Sequence, residues 1–282
     1  MVHHIYLLLL AALQGVTELF PISSLGHSIL VPALLHWPIN REANWFLPFI
    51  VVLHLGTVTA LLTFFWRDWY MLIRAFIRDR GKFRGSSSET RLLWLLVLAS
   101  IPAGLLGLAF AHKIKDLFGG FEFAAVALMV NGLLLVWGDH LRVREPSHTL
   151  ASMHWRQALI IGLAQSLALI PGFSRSGATL VAGIGIGLDY ENSARFSFLL
   201  ATPIIGAAGL LEVPKLLRAH LTPGLAPAIF ISGIVSAIFA WMSVWFLMRY
   251  FHQHEIRALR PFGIYCVGFG AIALVAGHGA LL

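Results

Sequence analysis

Charge is what this chain has least of. Of its 282 residues, 12% are Asp, Glu, Lys or Arg and 58% are hydrophobic. A soluble domain carries about 25% charged residues, roughly twice as many. Surface-to-volume scaling would leave too many of these apolar side chains facing water in any soluble fold of this size. A soluble enzyme and a disordered chain are excluded. Cysteine is nearly missing as well: Cys266 stands alone in an apolar run, which excludes a disulfide framework and a multi-cysteine metal site. The 13 histidines are scattered, without the spacing of a zinc site. The net charge of +7 does not point to nucleic acid, because seven of the 20 Lys and Arg cluster between Arg67 and Arg91 without aromatic alternation or a binding motif. Such a cluster marks a cytoplasmic loop.

What is present is long apolar runs. Six stretches free of charged residues, roughly 46–65, 92–111, 123–138, 196–211, 226–248 and 261–280, read as spanning helices. Two more are broken in the middle. The run from Ile5 to Leu35 is interrupted at Phe20-Pro21-Ile22-Ser23-Ser24, and the run from Gln157 to Leu188 at Pro171-Gly172-Phe173-Ser174. Proline removes an N–H and bars the helical conformation for its predecessor, so each run should be two short helices around a turn. Non-helical backbone at membrane depth survives only where protein or a water-filled cavity satisfies it. The expected fold is an all-α integral membrane protein of six transmembrane helices plus two re-entrant helix–loop–helix hairpins. A cleaved leader over Met1 to about Ser24 is disfavoured, because Met-Val-His-His lacks Lys and Arg and Glu18 sits where a small-residue cleavage site would be wanted.

Each hairpin is followed by three spans, so one membrane domain over 1–282 divides into halves at about 1–145 and 152–282. An odd number of crossings per half makes the second half an inverted repeat of the first. Gln14 and Gln165 precede Pro21 and Pro171, Ser23-Ser24-Leu25-Gly26 answers Ser174-Arg175-Ser176-Gly177, and Phe46 and Gly56 answer Phe196 and Gly206. Transporters with inverted repeats and broken helices place their site at the repeat interface. With the loop 67–91 inside, threading puts fourteen Lys and Arg on the cytoplasmic side and five outside, with Arg175 left in the second hairpin. That bias predicts both termini on the outer side and hairpins entering from opposite faces.

Glu18 and Arg175 are the charges placed deepest in the hairpins. A charge in a membrane costs roughly 2.5–3.5 kcal/mol even on the mildest scale, so each is a functional candidate, against the plainer reading of a structural ion pair. Gln14 and Glu18, at i and i+4, project from one helix face toward the break. A carboxylate beside an amide oxygen suits a hard divalent cation, Mg²⁺ or Ca²⁺, bridged to phosphate. Past the break, Ser24 and His27 lie at i and i+3. Ser24 taken alone reads as a helix cap and His27 taken alone as a packed residue. Together, facing a carboxylate, they suggest a nucleophile with its acid–base partner. In the second hairpin Gly172 permits close backbone approach, Ser174-Arg175-Ser176 opens a helix whose N–H groups face the turn, and Thr179 lies one turn from Ser176. Helix N-termini bind anions, and Arg175 adds a forked cation matched to phosphate. The pattern is that of a phosphoryl-transfer site in a membrane. His54, Asn131 and Glu212 read as helix-packing or boundary residues.

The segments Gln14-Gly-Val-Thr-Glu18-Leu-Phe-Pro21-Ile-Ser-Ser24-Leu-Gly26-His27 and Pro171-Gly-Phe-Ser174-Arg175-Ser176-Gly177-Ala-Thr179 resemble the two signature segments of the undecaprenyl-diphosphate phosphatase family of the bacitracin-resistance type. Glu191 to Pro203 resembles a third. The resemblance implies an enzyme of the bacterial inner membrane that removes the terminal phosphate of undecaprenyl diphosphate, a polyprenyl diphosphate lipid, for cell-wall synthesis. It also implies a divalent cation and a periplasm-facing site, and it leaves a homodimer open. Its acidic pair falls on Gln14 and Glu18, its serine and histidine on Ser24 and His27, and its arginine on Arg175; the phosphate-binding groups expected beside them are Ser23, Gly26, Gly172, Ser174, Arg175, Ser176 and Thr179. Two departures stand out: Gln14 leaves one formal charge fewer for a metal, and Leu25 replaces a small hydroxyl residue. Ser24 is preferred over His27 as nucleophile. The phosphatidic-acid phosphatase type is disfavoured because no His follows Ser174-Arg175 nearby and its leading Lys-to-Arg-Pro segment is missing. A polyprenyl-phosphate flippase would need the same anion-binding groups but no nucleophile.

Overall fold

The computed structural model describes residues 4–83, 87–118, 120–141, 148–218, 224–254 and 256–280. Met1, Leu282, Arg84, Arg142, Arg144 and the half boundary near 145 lie outside them, as do the side chains of Lys113, Lys115, Lys215 and Arg218. The described residues contain helices and no strand. In chain order these are α1 (His4–Thr17), α2 (Ser24–Leu34), α3 (Phe46–Phe64), α4 (Trp66–Arg78), α5 (Ser88–Phe118), α6 (Phe121–Gly138), α7 (Trp155–Gln165), α8 (Arg175–Gly185), α9 (Tyr190–Arg218), α10 (Leu225–Gln253) and α11 (Arg260–Ala280). Short 3₁₀ turns follow α6 and α7.

Six of these helices, α3, α5, α6, α9, α10 and α11, are long and apolar enough to cross a membrane. They coincide with the six charge-free stretches. Side chains such as Leu108 and Val275 are 77% and 78% exposed, as lipid-facing residues would be. With six such helices, the chain is a multi-pass membrane protein. The 14 residues of α1 rise only about 21 Å, short of the ~30 Å hydrocarbon core, and α2, α7 and α8 are shorter still. Both proline breaks end a helix where expected.

Close approach between helices follows from small residues. A Cβ on Gly56 would lie 2.3 Å from Gly233 O, and one on Gly132 would lie 2.5 Å from Gly263 O, so α3 packs on α10 and α6 on α11 backbone to backbone. Without a hydrophobic drive in lipid, such close packing is a main source of helix association. The α1 helix packs on α10, and α7 packs on α5. On the loop side, Asp139 accepts from Tyr190 Oη at 2.8 Å and Leu259 N at 3.0 Å, joining the ends of α6, α9 and α11. Arg195 Nε donates to Asp68 at 3.0 Å, pinning α4 to α9. Asp79 accepts from Ser87 N, Ser87 Oγ and Thr90 Oγ1 at 2.7–2.9 Å. Those donors hold its carboxyl far below the usual carboxylate range.

Candidate active site

The two breaks are built alike. Ser23 caps α2 by accepting from Gly26 N at 3.2 Å, and Ser174 caps α8 by accepting from Gly177 N at 3.1 Å. Each cap sits three residues ahead of a glycine, and each places the next residue, Ser24 or Arg175, at the first helical position. The turns differ in how they reverse. Gly172 has φ 101°, and a Cβ there would lie 2.6 Å from Ala124 O. Ser23 holds a left-handed φ of 68° without being glycine, which stores strain at the turn. Asn131, fully buried on α6, ties the breaks together: its Nδ2 donates to Pro21 O and its Oδ1 accepts from Ser174 N, both at 3.0 Å. Ser176 Oγ adds a bond to Phe20 O at 3.0 Å.

Between the hairpins lies a cavity of about 1640 Å³, lined by Gln14, Glu18, Ser23, Ser24, Ser174 and Arg175 from the breaks. Apolar residues of α3 and α9, including Val51, Ile204 and Ala208, form one wall, and residues 39–44 and Glu212 form another. Glu18 is the hub. Its Oε2 accepts from Ser24 Oγ at 2.6 Å and from Gln14 Nε2 at 3.0 Å, and its Oε1 faces Arg175 Nη2 at 3.4 Å. The short serine bond is charge-assisted, which makes it stronger than a neutral one and aims the hydroxyl. Arg175 also donates to Ser197 O at 3.4 Å, while its buried Nε has no partner among the described residues. Only two of the five guanidinium N–H groups are so used, which leaves the others and the start of α8 to meet an anion.

Other residues expected at the phosphate are placed elsewhere. His27 is 1% exposed, with Nδ1 2.8 Å from Ser23 O and Nε2 2.8 Å from Tyr265 Oη, its ring nearly parallel to the neighbouring rings of Tyr265 and Phe269. It does not line the cavity with Ser24; its ring packs beside Tyr265 and Phe269 of α11 instead. Ser176 and Thr179 are buried as well, Thr179 bonding Ser197 Oγ at 2.6 Å. Gly26 and Gly172 meet one another: a Cβ on Gly26 would lie 3.2 Å from Gly172 Cα. These residues shape the breaks and do not line the cavity. Leu25 does line it, without the hydroxyl the family pattern favours.

Two of the residues read as packing or boundary groups, His54 and Glu212, line the cavity. His54 lines the cavity, its Nε2 3.4 Å from Gln14 Nε2 and 3.8 Å from Glu18 Oε2. Asn131 is the brace described above. Glu212 borders the cavity from α9. No local spacing signals such long-range meetings; the one hint was polarity within an apolar span. As for a cation, no group of three or more His, Cys, Asp or Glu gathers among the described residues. The donors at hand are one carboxylate, one amide and one imidazole facing a cavity, which fits an ion that shares its coordination with substrate phosphate.

The family model described as "Bacitracin resistance protein BacA" matches residues 7–272. The chain belongs to this family. Among BacA relatives, "Undecaprenyl-diphosphatase 2" of Chromobacterium violaceum is 54% identical over 270 residues, covering 95% of this chain and 96% of that one. "Undecaprenyl-diphosphatase" of Acidiphilium cryptum is 46% identical over 270 residues, with 95% of each chain covered. The protein of the same name from Gluconacetobacter diazotrophicus is 44% identical over 275 residues, with 96% of each covered. As a BacA member, this chain joins its signature segments at one cavity.

Proposed function

We propose that this chain hydrolyses undecaprenyl diphosphate to undecaprenyl phosphate and inorganic phosphate, acting on a polyprenyl diphosphate lipid from within the bacterial inner membrane. The observation that carries the reading is the Ser24 hydroxyl, aimed by Glu18 and set beside Arg175 in one cavity. Ser24 Oγ attacks the terminal phosphorus and passes its proton to the Glu18 carboxylate. The bond from that phosphorus to the bridging oxygen breaks, and undecaprenyl phosphate leaves with the electron pair. Arg175 and the first N–H groups of α8 stabilise the phosphoryl oxygens as charge redistributes. Water then attacks the phosphoserine, Glu18 returns its proton to Oγ, and phosphate departs.

His27 acts as a positioning residue, since both its ring nitrogens are committed to Ser23 O and Tyr265. Glu18 and Gln14 would hold a divalent cation, Mg²⁺ or Ca²⁺, which when bound supplies charge neutralisation at the diphosphate. The cavity opens to the periplasm in this reading, with both termini on that side. Two observations support it: the fourteen-to-five charge bias, and a cavity wall made of 39–44 and Glu212, which belong to segments on the outer side of that threading. The matched caps at Ser23 and Ser174 support reading the halves as inverted repeats around re-entrant hairpins. Against the flippase alternative stand the aimed nucleophile and the hydrolytic names of the relatives. Purified protein given lipid diphosphate and Mg²⁺ should release phosphate, and Ser24→Ala should not; a silent wild-type protein would overturn the reading and favour transport.

A further inference from the structure

His54 and the Gln14–Glu18 pair form a geometry that neither residue spacing nor the signature segments supply. Gln14 Nε2 and Glu18 Oε2 are 3.0 Å apart, and His54 Nε2 lies 3.4 Å from the first and 3.8 Å from the second. A triangle with these sides has its centre about 2.0 Å from each corner, the length of a bond from nitrogen or oxygen to a divalent ion. The Gln14 amide group here does what a cation would do, offering hydrogen to the carboxylate and facing the imidazole. Half a turn about the last side-chain bond of Gln14 puts its oxygen at that corner instead.

The imidazole is held for this role by its other nitrogen. Nδ1 lies 2.9 Å from Ile50 O, and a carbonyl can only accept, so Nδ1 carries the hydrogen and Nε2 presents its lone pair. Metal-binding histidines are oriented in this way by a carbonyl or carboxylate on the far nitrogen. The His54 side chain is 32% exposed and lines the cavity, which gives an ion a path in. Arg175 faces Oε1 of Glu18, the oxygen outside the triangle.

We infer that His54 is the third protein ligand of a divalent-cation site formed with Gln14 and Glu18, and that its nitrogen tilts the site toward first-row transition ions over Ca²⁺, with Mn²⁺ the spectroscopic probe. The inference rests on the reading above that Glu18 and Gln14 hold a cation. Calcium takes oxygen ligands, whereas imidazole suits the borderline transition ions. A neutral nitrogen also adds a ligand without the second charge that Gln14 does not provide.

Mn²⁺ titrated into the purified full-length protein, followed by electron paramagnetic resonance, tests the assignment. Wild type should take up one Mn²⁺ whose pulsed spectrum carries the modulation of an imidazole nitrogen. His54→Gln, which keeps a polar side chain of similar reach, should lose that modulation, weaken Mn²⁺ binding by about tenfold or more, and weaken Ca²⁺ binding less. No Mn²⁺ uptake at millimolar concentration, no nitrogen modulation in wild type, or the same modulation in His54→Gln would each overturn the inference. Phosphate release separates the two readings. Release without the nitrogen signal removes His54 from the metal and leaves hydrolysis standing, while the signal without release removes hydrolysis and leaves the site.

Discussion

The turns at Pro21–Ser24 and Pro171–Arg175 share a plan and differ in chemistry. Both use a serine cap bonded to the N–H of a glycine three residues on, and both aim the residue after the cap into one cavity. In the first that residue is Ser24, the nucleophile of the proposed reaction; in the second it is Arg175, its proposed phosphate clamp. The remaining polar groups divide as well. The first break keeps Gln14, Glu18 and Ser24 facing the cavity, while the second spends Ser176 and Thr179 on buried bonds to Phe20 O and Ser197. The two turns thus share a serine cap, differ in backbone geometry, and present different side chains to the cavity.

The strongest way to break this division is to remove its two aimed side chains. Ser24→Ala should cut phosphate release by about a thousandfold or more, because covalent catalysis is lost whole, with the thermal unfolding midpoint little changed. Arg175→Ala should cost about 100–1000-fold in kcat and also lower stability, since Glu18 is left as an unpaired buried charge. Equal, small effects from both variants would contradict the division. Asn131→Leu comes next. It orphans Pro21 O and Ser174 N together and should destabilise by about 2–4 kcal/mol in denaturation of the reconstituted protein, with activity falling in step.

The turns themselves should respond unequally. Gly172→Ala puts a Cβ against Ala124 O at a φ of 101° and should cost about 2–4 kcal/mol. Ser23→Gly loses a cap but relieves a left-handed φ, and should stay within about 0.5 kcal/mol of wild type. If the two variants shifted stability alike, the strain assigned to Ser23 would be wrong. The smallest effect is expected away from both breaks: Asp79→Asn, in the α4–α5 connection, should leave phosphate release unchanged. Because its folded-state carboxyl titrates far below the usual range, that clamp contributes stability at neutral pH and loses it as acid protonates Asp79. Protection factors of the amides at 79–83 and 87–90 should therefore fall in wild type as pH drops below the ordinary carboxylate range, and should be low already at neutral pH in Asp79→Asn.

Much of this was readable from residues alone. The spans followed from charge-free runs, because lipid leaves a helix no other way to satisfy its backbone. The breaks followed from Pro21 and Pro171, and Glu18 and Arg175 were conspicuous because charge is scarce. His27 was not readable. Its i, i+3 spacing from Ser24 brings it near the same helix face, but the bond to Tyr265 Oη and the packing against Tyr265 and Phe269, nearly 240 residues away, decide where the ring points. His54 and Asn131 failed to stand out for the same reason: a single polar residue in an apolar span carries no local pattern, and only the packing of α3 against α1 and of α6 against α2 and α8 brings them to the breaks. Local signals located the segments, and long-range packing chose which side chains face the cavity.

The central claim is that Ser24 takes the phosphoryl group while the other hairpin holds it. Rapid quenching of the protein with undecaprenyl diphosphate labelled at the terminal phosphorus, followed by peptide mapping, tests it most directly. The account predicts an acid-stable label on the peptide carrying Ser24, absent in Ser24→Ala. An acid-labile label on His27, or full turnover with no label on the protein, would contradict it.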